Sequence, residues 1–141
     1  LLLALLTHPA FALDKITDEA IKQFLSQQST YVMQKEPEKL MALFADRYQQ
    51  FDKKQQATIG KDELKKIYTG NFLVAKLIIN TIQLTDSKIA DDGLHAQINT
   101  HVFNRYLIEY AEKQNVLTQE EDWHSELVLE NGQLLYLKTE K

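Results

Sequence analysis

The hydrophobic period of the sequence changes near Asn71, and this change constrains the fold more than any other feature. Before Asn71, apolar residues recur at three- and four-residue spacing, which is typical of amphipathic helices. After it, β-branched and aromatic residues occur in runs bounded by turn residues, which is typical of strands. Because helices and strands are segregated along the chain, the sequence predicts an α+β fold with a largely antiparallel sheet.

Three helices are predicted in the first half of the chain. Thr17 suits the N-cap of a helix extending to about Gln34, since two acidic residues follow it and favour the positive end of the helix dipole. Pro37 suits the first turn of a second helix, which is expected to end near Asp46. Glycines bound a third helix, predicted over residues 61–69.

The second half predicts four strands, over residues 72–85, 94–111, 117–130 and 134–139. Asp92-Gly93 and Asn131-Gly132 are strong signals for short hairpins, so the sheet is expected to be antiparallel and largely to follow the chain order. A third turn is predicted near residues 113–114, which would place His101 opposite Glu126, Phe103 opposite His124 and Arg105 opposite Asp122.

The long strand over residues 94–111 has two different faces. Its even-numbered residues from Ala96 to Tyr110 are mainly apolar, whereas the odd-numbered ones are mainly polar. Trp123 lies on the apolar side of the following strand by the same alternation. We therefore expect the three helices to cover this apolar face and the polar face to point outward.

The composition excludes several classes of function. The chain has no cysteine, which excludes disulfides, thiolate zinc sites and a cysteine nucleophile. Its net charge of -4 is the wrong sign for a protein that binds nucleic acid through phosphate neutralisation. All four glycines serve as helix or hairpin boundaries in this interpretation, which leaves none for a phosphate-binding loop. No cofactor is predicted.

The first twelve residues are interpreted as the end of a signal peptide. A leucine-rich run precedes Ala10-Phe11-Ala12, which has the small-x-small form of a signal peptidase site. The run is shorter than the roughly 20 apolar residues that a membrane-spanning helix needs. The sequence thus predicts a single domain over residues 13–141 that is exported to the periplasm or secreted, with no membrane attachment after cleavage.

Four segments, in this order, resemble the nuclear-transport-factor-2-like superfamily, which includes ketosteroid isomerase, scytalone dehydratase and polyketide-cyclase-like proteins. They are Leu40–Asp46, Gly60–Leu64, Ile89–Ala96 and Leu129–Leu134. The resemblance implies a cone-shaped, cystatin-like fold in which three N-terminal helices pack in the concavity of a curved, mainly antiparallel sheet. It also implies a pocket inside the cone, where function resides in this superfamily.

A mostly apolar pocket is expected between helices and sheet, lined by Tyr31, Tyr48, Tyr106 and Trp123. The leading hypothesis is a noncatalytic domain that binds a small organic ligand or has an accessory role. The alternative is an isomerase, dehydratase or cyclase in which Asp46 is the base and Tyr48 or Tyr31 donates to an enolate oxygen. A solvent-exposed Asp46 at a helix end, with the tyrosines in the core, is the structural alternative.

The outward face of the sheet is expected to form a homodimer interface, or to serve as the assembly surface of a purely structural subunit. The interface residues would be His101, Phe103, Arg105, His124, Glu126 and Val128. His101, His124 and Glu126 include the ligand types that zinc or copper prefers, but an exposed face favours an interface or a solvated surface instead. We therefore predict no metal.

Overall fold

The computed structural model describes residues 12–141 and contains one six-stranded sheet with three helices. The elements are α1 (Asp18–Met33), α2 (Pro37–Met41), β1 (Phe44–Asp52), β2 (Ala57–Gly60), α3 (Lys61–Val74), β3 (Ala75–Ile89), β4 (His95–Tyr110), β5 (Lys113–Glu130) and β6 (Gln133–Glu140). The strand order is β2-β1-β6-β5-β4-β3, and β1 with β6 is the parallel pair of this sheet. The predicted α+β fold with a mainly antiparallel sheet is confirmed.

The signal segment predicted over residues 1–12 lies outside the described residues, apart from Ala12. Within residues 12–141, no helix combines the length and the apolar character that crossing a bilayer requires.

The first helix is as predicted, whereas the other two differ in length. The Thr17 hydroxyl accepts a hydrogen bond from the Ala20 N–H at 3.0 Å and so caps α1. The predicted continuation of α2 to Asp46 is wrong, because the chain becomes extended at Phe44 and enters β1. The predicted stop of α3 near Gly70 is also wrong, since the helix continues for four more residues.

The strands β1 and β2 were not expected from the sequence. They form an antiparallel pair, and β1 also pairs in parallel with β6, about ninety residues further along the chain. This pairing places the last strand in sequence inside the sheet, between β1 and β5.

Both predicted hairpin turns form, and a third uses residues without a turn signature. Gly93 and Gly132 have φ angles of 70° and 74°, a region that glycine occupies at little steric cost. The third turn is Ala111-Glu112, also at positive φ, rather than residues 113–114. The predicted register of β4 on β5 is therefore wrong, and the observed cross-strand partners are His101 with Asp122, Phe103 with Glu120, and Arg105 with Thr118.

The difference in register is an even number of residues, so each side chain stays on its predicted face. The even-numbered residues of β4 that are buried are Ala96, Ile98, Thr100, Val102 and Tyr106, and Trp123 of β5 is buried on the same side. The helices thus cover the face that the alternation indicated.

Four aromatic residues from three regions of the chain meet in the core, and we call Phe24, Phe44, Tyr48 and Tyr136 the aromatic cluster. The ring of Phe44 lies 4.7 Å from that of Tyr48 and 5.0 Å from that of Tyr136, measured between centroids. Both tyrosine hydroxyls have buried acceptors: Tyr48 donates to Gln50 Oε1 at 3.1 Å, and Tyr136 donates to Gln28 Oε1. The rings of the aromatic cluster are therefore packed against one another, and both of its tyrosine hydroxyls are hydrogen-bonded within the protein.

Candidate ligand cavity

A cavity of about 360 Å³ opens between α3 and the inner face of the sheet, and we call it the amide-lined cavity. Its volume is within the range of about 300–1,000 Å³ that is usual for small-molecule sites. Eight of its fifteen lining residues carry an amide or a charge: Gln50, Asp52, Gln55, Asn71, Asn104, Gln119, Glu121 and Lys141. This cavity is therefore more polar than the mostly apolar pocket that the sequence predicts.

Two tyrosines face this cavity, Tyr68 from α3 and Tyr106 from β4. Burial raises the pKa of both phenols, and the negative charge of Glu121 adds to the effect. Both hydroxyls are therefore neutral at physiological pH and able to donate a hydrogen bond. Within residues 12–141 neither hydroxyl has a hydrogen-bond partner, in contrast to the tyrosines of the aromatic cluster.

The amide of Asn104 is oriented by a short chain of polar groups that crosses the sheet edge. Ser29 of α1 donates to Asn80 Oδ1, and Asn80 Nδ2 donates to Asn104 Oδ1 at 2.6 Å. Because the Asn104 oxygen is occupied in this way, its NH₂ group is the part of the side chain that remains to contact a ligand.

Both carboxylates that line the cavity are engaged by the protein itself. Trp123 Nε1 donates to Glu121 Oε2 at 2.8 Å, and Lys141 Nζ lies 3.3 Å from the same oxygen. The Lys141 ammonium also lies 4.6 Å from the centroid of the Trp123 ring, a favourable cation–π arrangement. Asp52 Oδ1 accepts hydrogen bonds from two backbone N–H groups of the turn that follows β1.

The structure brings together only part of the predicted pocket. Tyr106 and Trp123 line the cavity, whereas Tyr31 packs against the hydrophobic core elsewhere. Tyr48 is 2 % exposed and lies behind the cavity wall, where it donates to Gln50.

The predicted catalytic pair is not brought together in the amide-lined cavity. Asp46 is fully exposed on β1 and forms an ion pair with Lys61 at 3.1 Å, while burial raises the pKa of Tyr48 and keeps its hydroxyl protonated in the core.

Several residues of this cavity were missed from the sequence, although a signal existed for some of them. Gln119 and Glu121 share the strand parity of Trp123, so the alternation that placed Trp123 inside also places them there. Gln50 could not be found in this way, because β1 itself was not recognised.

The residues predicted for the outward face lie at alternate positions of β4 and β5, and both histidines among them contact neighbouring side chains of the same chain. His101 Nδ1 lies 2.8 Å from Asp122 Oδ1, and hydrogen bonding to this carboxylate raises the pKa of His101. His124 contacts Gln97 Oε1 and Asn99 Oδ1 through its two ring nitrogens, each at 2.6 Å.

The other four predicted interface residues differ in exposure: Phe103 and Glu126 are half-buried and Arg105 is exposed, whereas Val128 is only 4 % exposed. Within the part of the chain that the structure describes, no group of three or more His, Asp and Glu side chains could hold a metal ion.

Comparison with known proteins gives matches in structure only. No protein-family model matches the sequence, and no curated protein matches it. Among solved structures, a putative scytalone dehydratase from Novosphingobium aromaticivorans superposes with a TM-score of 0.72 at 18 % identity, covering 86 % of this chain and 80 % of that one.

Two further structures extend this comparison. A protein of unknown function from Shewanella oneidensis, described as NTF-2 like, has a TM-score of 0.68 at 11 % identity, covering 86 % and 95 % of the two chains. A ketosteroid isomerase-like protein from Erwinia carotovora atroseptica has a TM-score of 0.64 at 12 % identity, covering 86 % and 92 %. At these identities the comparisons establish the fold alone.

Proposed function

The chain has the nuclear-transport-factor-2-like fold, and we propose that it binds a small, neutral molecule with several hydroxyl or carbonyl groups in the amide-lined cavity. The observation that carries the proposal is the pair of Tyr68 and Tyr106 hydroxyls, which have no hydrogen-bond partner among residues 12–141. Each can both donate and accept a hydrogen bond, and the surrounding amides offer the same two functions. Such a wall favours a ligand with mixed donors and acceptors over an ion or a hydrocarbon.

Binding without catalysis is supported by the state of the titratable groups. A general base must be able to reach the proton it abstracts, yet the Glu121 and Asp52 carboxylates already accept hydrogen bonds from the protein. None of the described residues that line the cavity is a histidine. Most of the other polar groups in the wall are neutral amides and phenols, which are suited to recognising a ligand by hydrogen bonds. The proposal of export, from residues 1–12, is independent of this site.

The experiment is native mass spectrometry of the purified chain, followed by thermal-shift measurements with a panel of neutral polyols and hydroxylated aromatic rings. Tyr68→Phe removes one cavity hydroxyl and keeps the ring, so we expect about threefold to tenfold weaker binding of any panel member that stabilises the parent chain. Tyr31→Phe is the matched control, since Tyr31 lies outside the cavity. Equal affinities for both variants, or no binding by the parent, would contradict the proposal.

A further inference from the structure

Two amides in the wall of the amide-lined cavity have their oxygen atoms engaged by residues outside it. Asn104 Oδ1 accepts a hydrogen bond from Asn80 Nδ2 at 2.6 Å, and Gln50 Oε1 accepts one from the Tyr48 hydroxyl at 3.1 Å. Neither donor is among the residues that line the cavity. Because an amide that turns its oxygen out of the cavity turns its NH₂ group the other way, both side chains present donors to a ligand.

The orientation of Asn104 is determined by a chain of three side chains, Ser29, Asn80 and Asn104, which we call the relay. Asn80 is buried on β3 and is the cross-strand partner of Asn104 on β4. The Ser29 hydroxyl lies 2.5 Å from Asn80 Oδ1 and 3.3 Å from the Asn80 carbonyl oxygen, so the side-chain oxygen is its closer acceptor. Because Ser29 occupies this oxygen, Asn80 turns its NH₂ group towards Asn104.

The orientation of Gln50 is determined by a phenol of the aromatic cluster. Tyr48 and Gln50 are both buried and lie two positions apart on β1. Burial raises the pKa of Tyr48, so its hydroxyl stays protonated and has one proton to donate. Gln50 Oε1 accepts that proton, which fixes a second amide as a donor to the cavity.

The two amides lie at separate places in the cavity wall, because β6 and β5 separate β1 from β4 in the sheet. The carboxylates of Asp52 and Glu121 line the same cavity and supply acceptor oxygens. Defined donors and defined acceptors therefore lie at different positions of the wall.

We infer that Asn80 and Tyr48 are positioning residues that set the specificity of the cavity without lining it. They turn Asn104 and Gln50 so that a ligand places a carbonyl oxygen, as in a ketone, an ester or a lactone, against these amides. A hydroxyl can accept from an NH₂ group as well, but its own proton then needs a further acceptor, which a carbonyl does not. The inference rests on the proposed function, since it narrows the neutral ligand of that cavity to a carbonyl compound.

The first test needs no ligand and measures hydrogen exchange of the side-chain amides by NMR in the isotope-labelled chain. The NH₂ protons of Asn104 face the cavity and should exchange faster than the Asn80 proton that is donated to Asn104. Asn80→Asp replaces this donor by an acceptor, so Asn104 should turn its NH₂ group to the new carboxylate and exchange about tenfold more slowly. Slow exchange of Asn104 in the parent chain, or unchanged exchange in the variant, would overturn the inference.

The second test compares an alcohol with its matched ketone, using scyllo-inositol with scyllo-inosose and tetralol with tetralone. The parent chain should bind at least one ketone about threefold to tenfold more tightly than its alcohol, as measured by ligand-observed NMR titration. Asn80→Asp should abolish this preference. Tyr48→Phe releases Gln50 and should reduce the preference about threefold.

The outcomes separate this inference from the proposed function. A parent chain that binds no molecule of the wider panel refutes the proposed function and the inference with it. A parent chain that binds other panel molecules but neither ketone, or that binds ketone and alcohol equally, refutes the inference alone. An unchanged ketone preference in Asn80→Asp does the same.

Two serines of α1 provide the matched control. Ser29→Ala removes the donor that orients Asn80, so the ketone preference should fall about threefold. Ser26 lies beside the same groove between α1 and β3 but outside the relay, and Ser26→Ala should leave the preference unchanged. Equal effects of the two serine variants would contradict the relay. Circular dichroism verifies that each variant is folded, and exchange in the parent chain decides the amide orientation if Asn80→Asp does not fold.

Discussion

The aromatic cluster and the amide-lined cavity both contain two tyrosines beneath the helices, yet they differ in how the phenol hydroxyls are satisfied. Tyr48 and Tyr136 donate to buried glutamine oxygens. Tyr68 and Tyr106 have no hydrogen-bond partner within residues 12–141 and face a cavity with polar walls. A hydroxyl that has an acceptor in the protein contributes to a fixed core. A hydroxyl without one, facing an open cavity, is free to bond to water or to a ligand.

The largest contrast is expected from shortening a leucine in each region of β5. Leu127 is fully buried opposite Tyr136, so Leu127→Ala should lower the free energy of unfolding by about 2–5 kcal/mol. Leu117 lies on the same face of the same strand, but it is 47 % exposed beyond the cavity, and Leu117→Ala should change stability by about 0.5 kcal/mol. Urea unfolding followed by circular dichroism measures both. Similar losses for the two variants would mean that the cavity end is as tightly packed as the core.

A smaller contrast is expected from removing one hydroxyl in each region. Tyr136→Phe leaves the buried Gln28 Oε1 without its donor, which should cost about 1–3 kcal/mol of stability. Tyr68→Phe removes a hydroxyl that has no described protein partner, so the chain should lose about 0.5 kcal/mol at most. The same unfolding measurement applies, and a larger loss for Tyr68→Phe than for Tyr136→Phe would reverse the assignment of the two regions.

The smallest effect is expected in alkaline solution. Burial raises the pKa of Tyr48, Tyr68 and Tyr136, so above about pH 10 the unfolded chain releases protons that the folded chain retains. Stability is therefore fully present below about pH 10 and falls as the pH rises through the folded-state values. Tyr68→Phe removes one of the three phenol protons that the folded chain retains.

Between about pH 10 and about pH 11 the Tyr68→Phe variant should consequently lose about 1 kcal/mol less than the parent chain. Tyr136→Phe should show the same reduction, since burial rather than the hydrogen-bond acceptor raises both values. Urea unfolding at several pH values gives the dependence of the unfolding free energy on pH for the parent chain and for each of the two variants. If the unfolding free energy of the parent chain changed with pH as it does in both variants, burial of the Tyr68 and Tyr136 phenols would be contradicted.

The sequence predicts the parts of this fold that depend on local patterns. Alternation along β4 gives both faces correctly, and the glycines at 93 and 132 mark two turns by their conformational freedom. The turn at Ala111-Glu112 carries no such signal, so the pairing register there could not be read. The strand β1 depends on a partner about ninety residues away, and its sequence follows an apolar helix-like run without a break.

The candidate site was harder to predict than the fold because it is made by elements that the sequence does not reveal. Tyr106 and Trp123 follow from strand parity, whereas Gln50 and Asp52 belong to the unrecognised β1. The polar character of the cavity arises where these elements converge. Asp46 was proposed for the pocket because it ends an apolar run, yet strand geometry turns its side chain into solvent.

The position of β6 between β1 and β5 also sets the order in which the chain can fold during its synthesis. The hairpins of β3, β4 and β5 can form as soon as they leave the ribosome, but β1 and β2 have no neighbour in the rest of the sheet until residue 140 has emerged. Until then the nascent chain holds two separate pieces of sheet, and distant pairings of this kind are slow to close. A ribosome-bound chain that lacks residues 133–140 should therefore leave β1 and β2 susceptible to proteases.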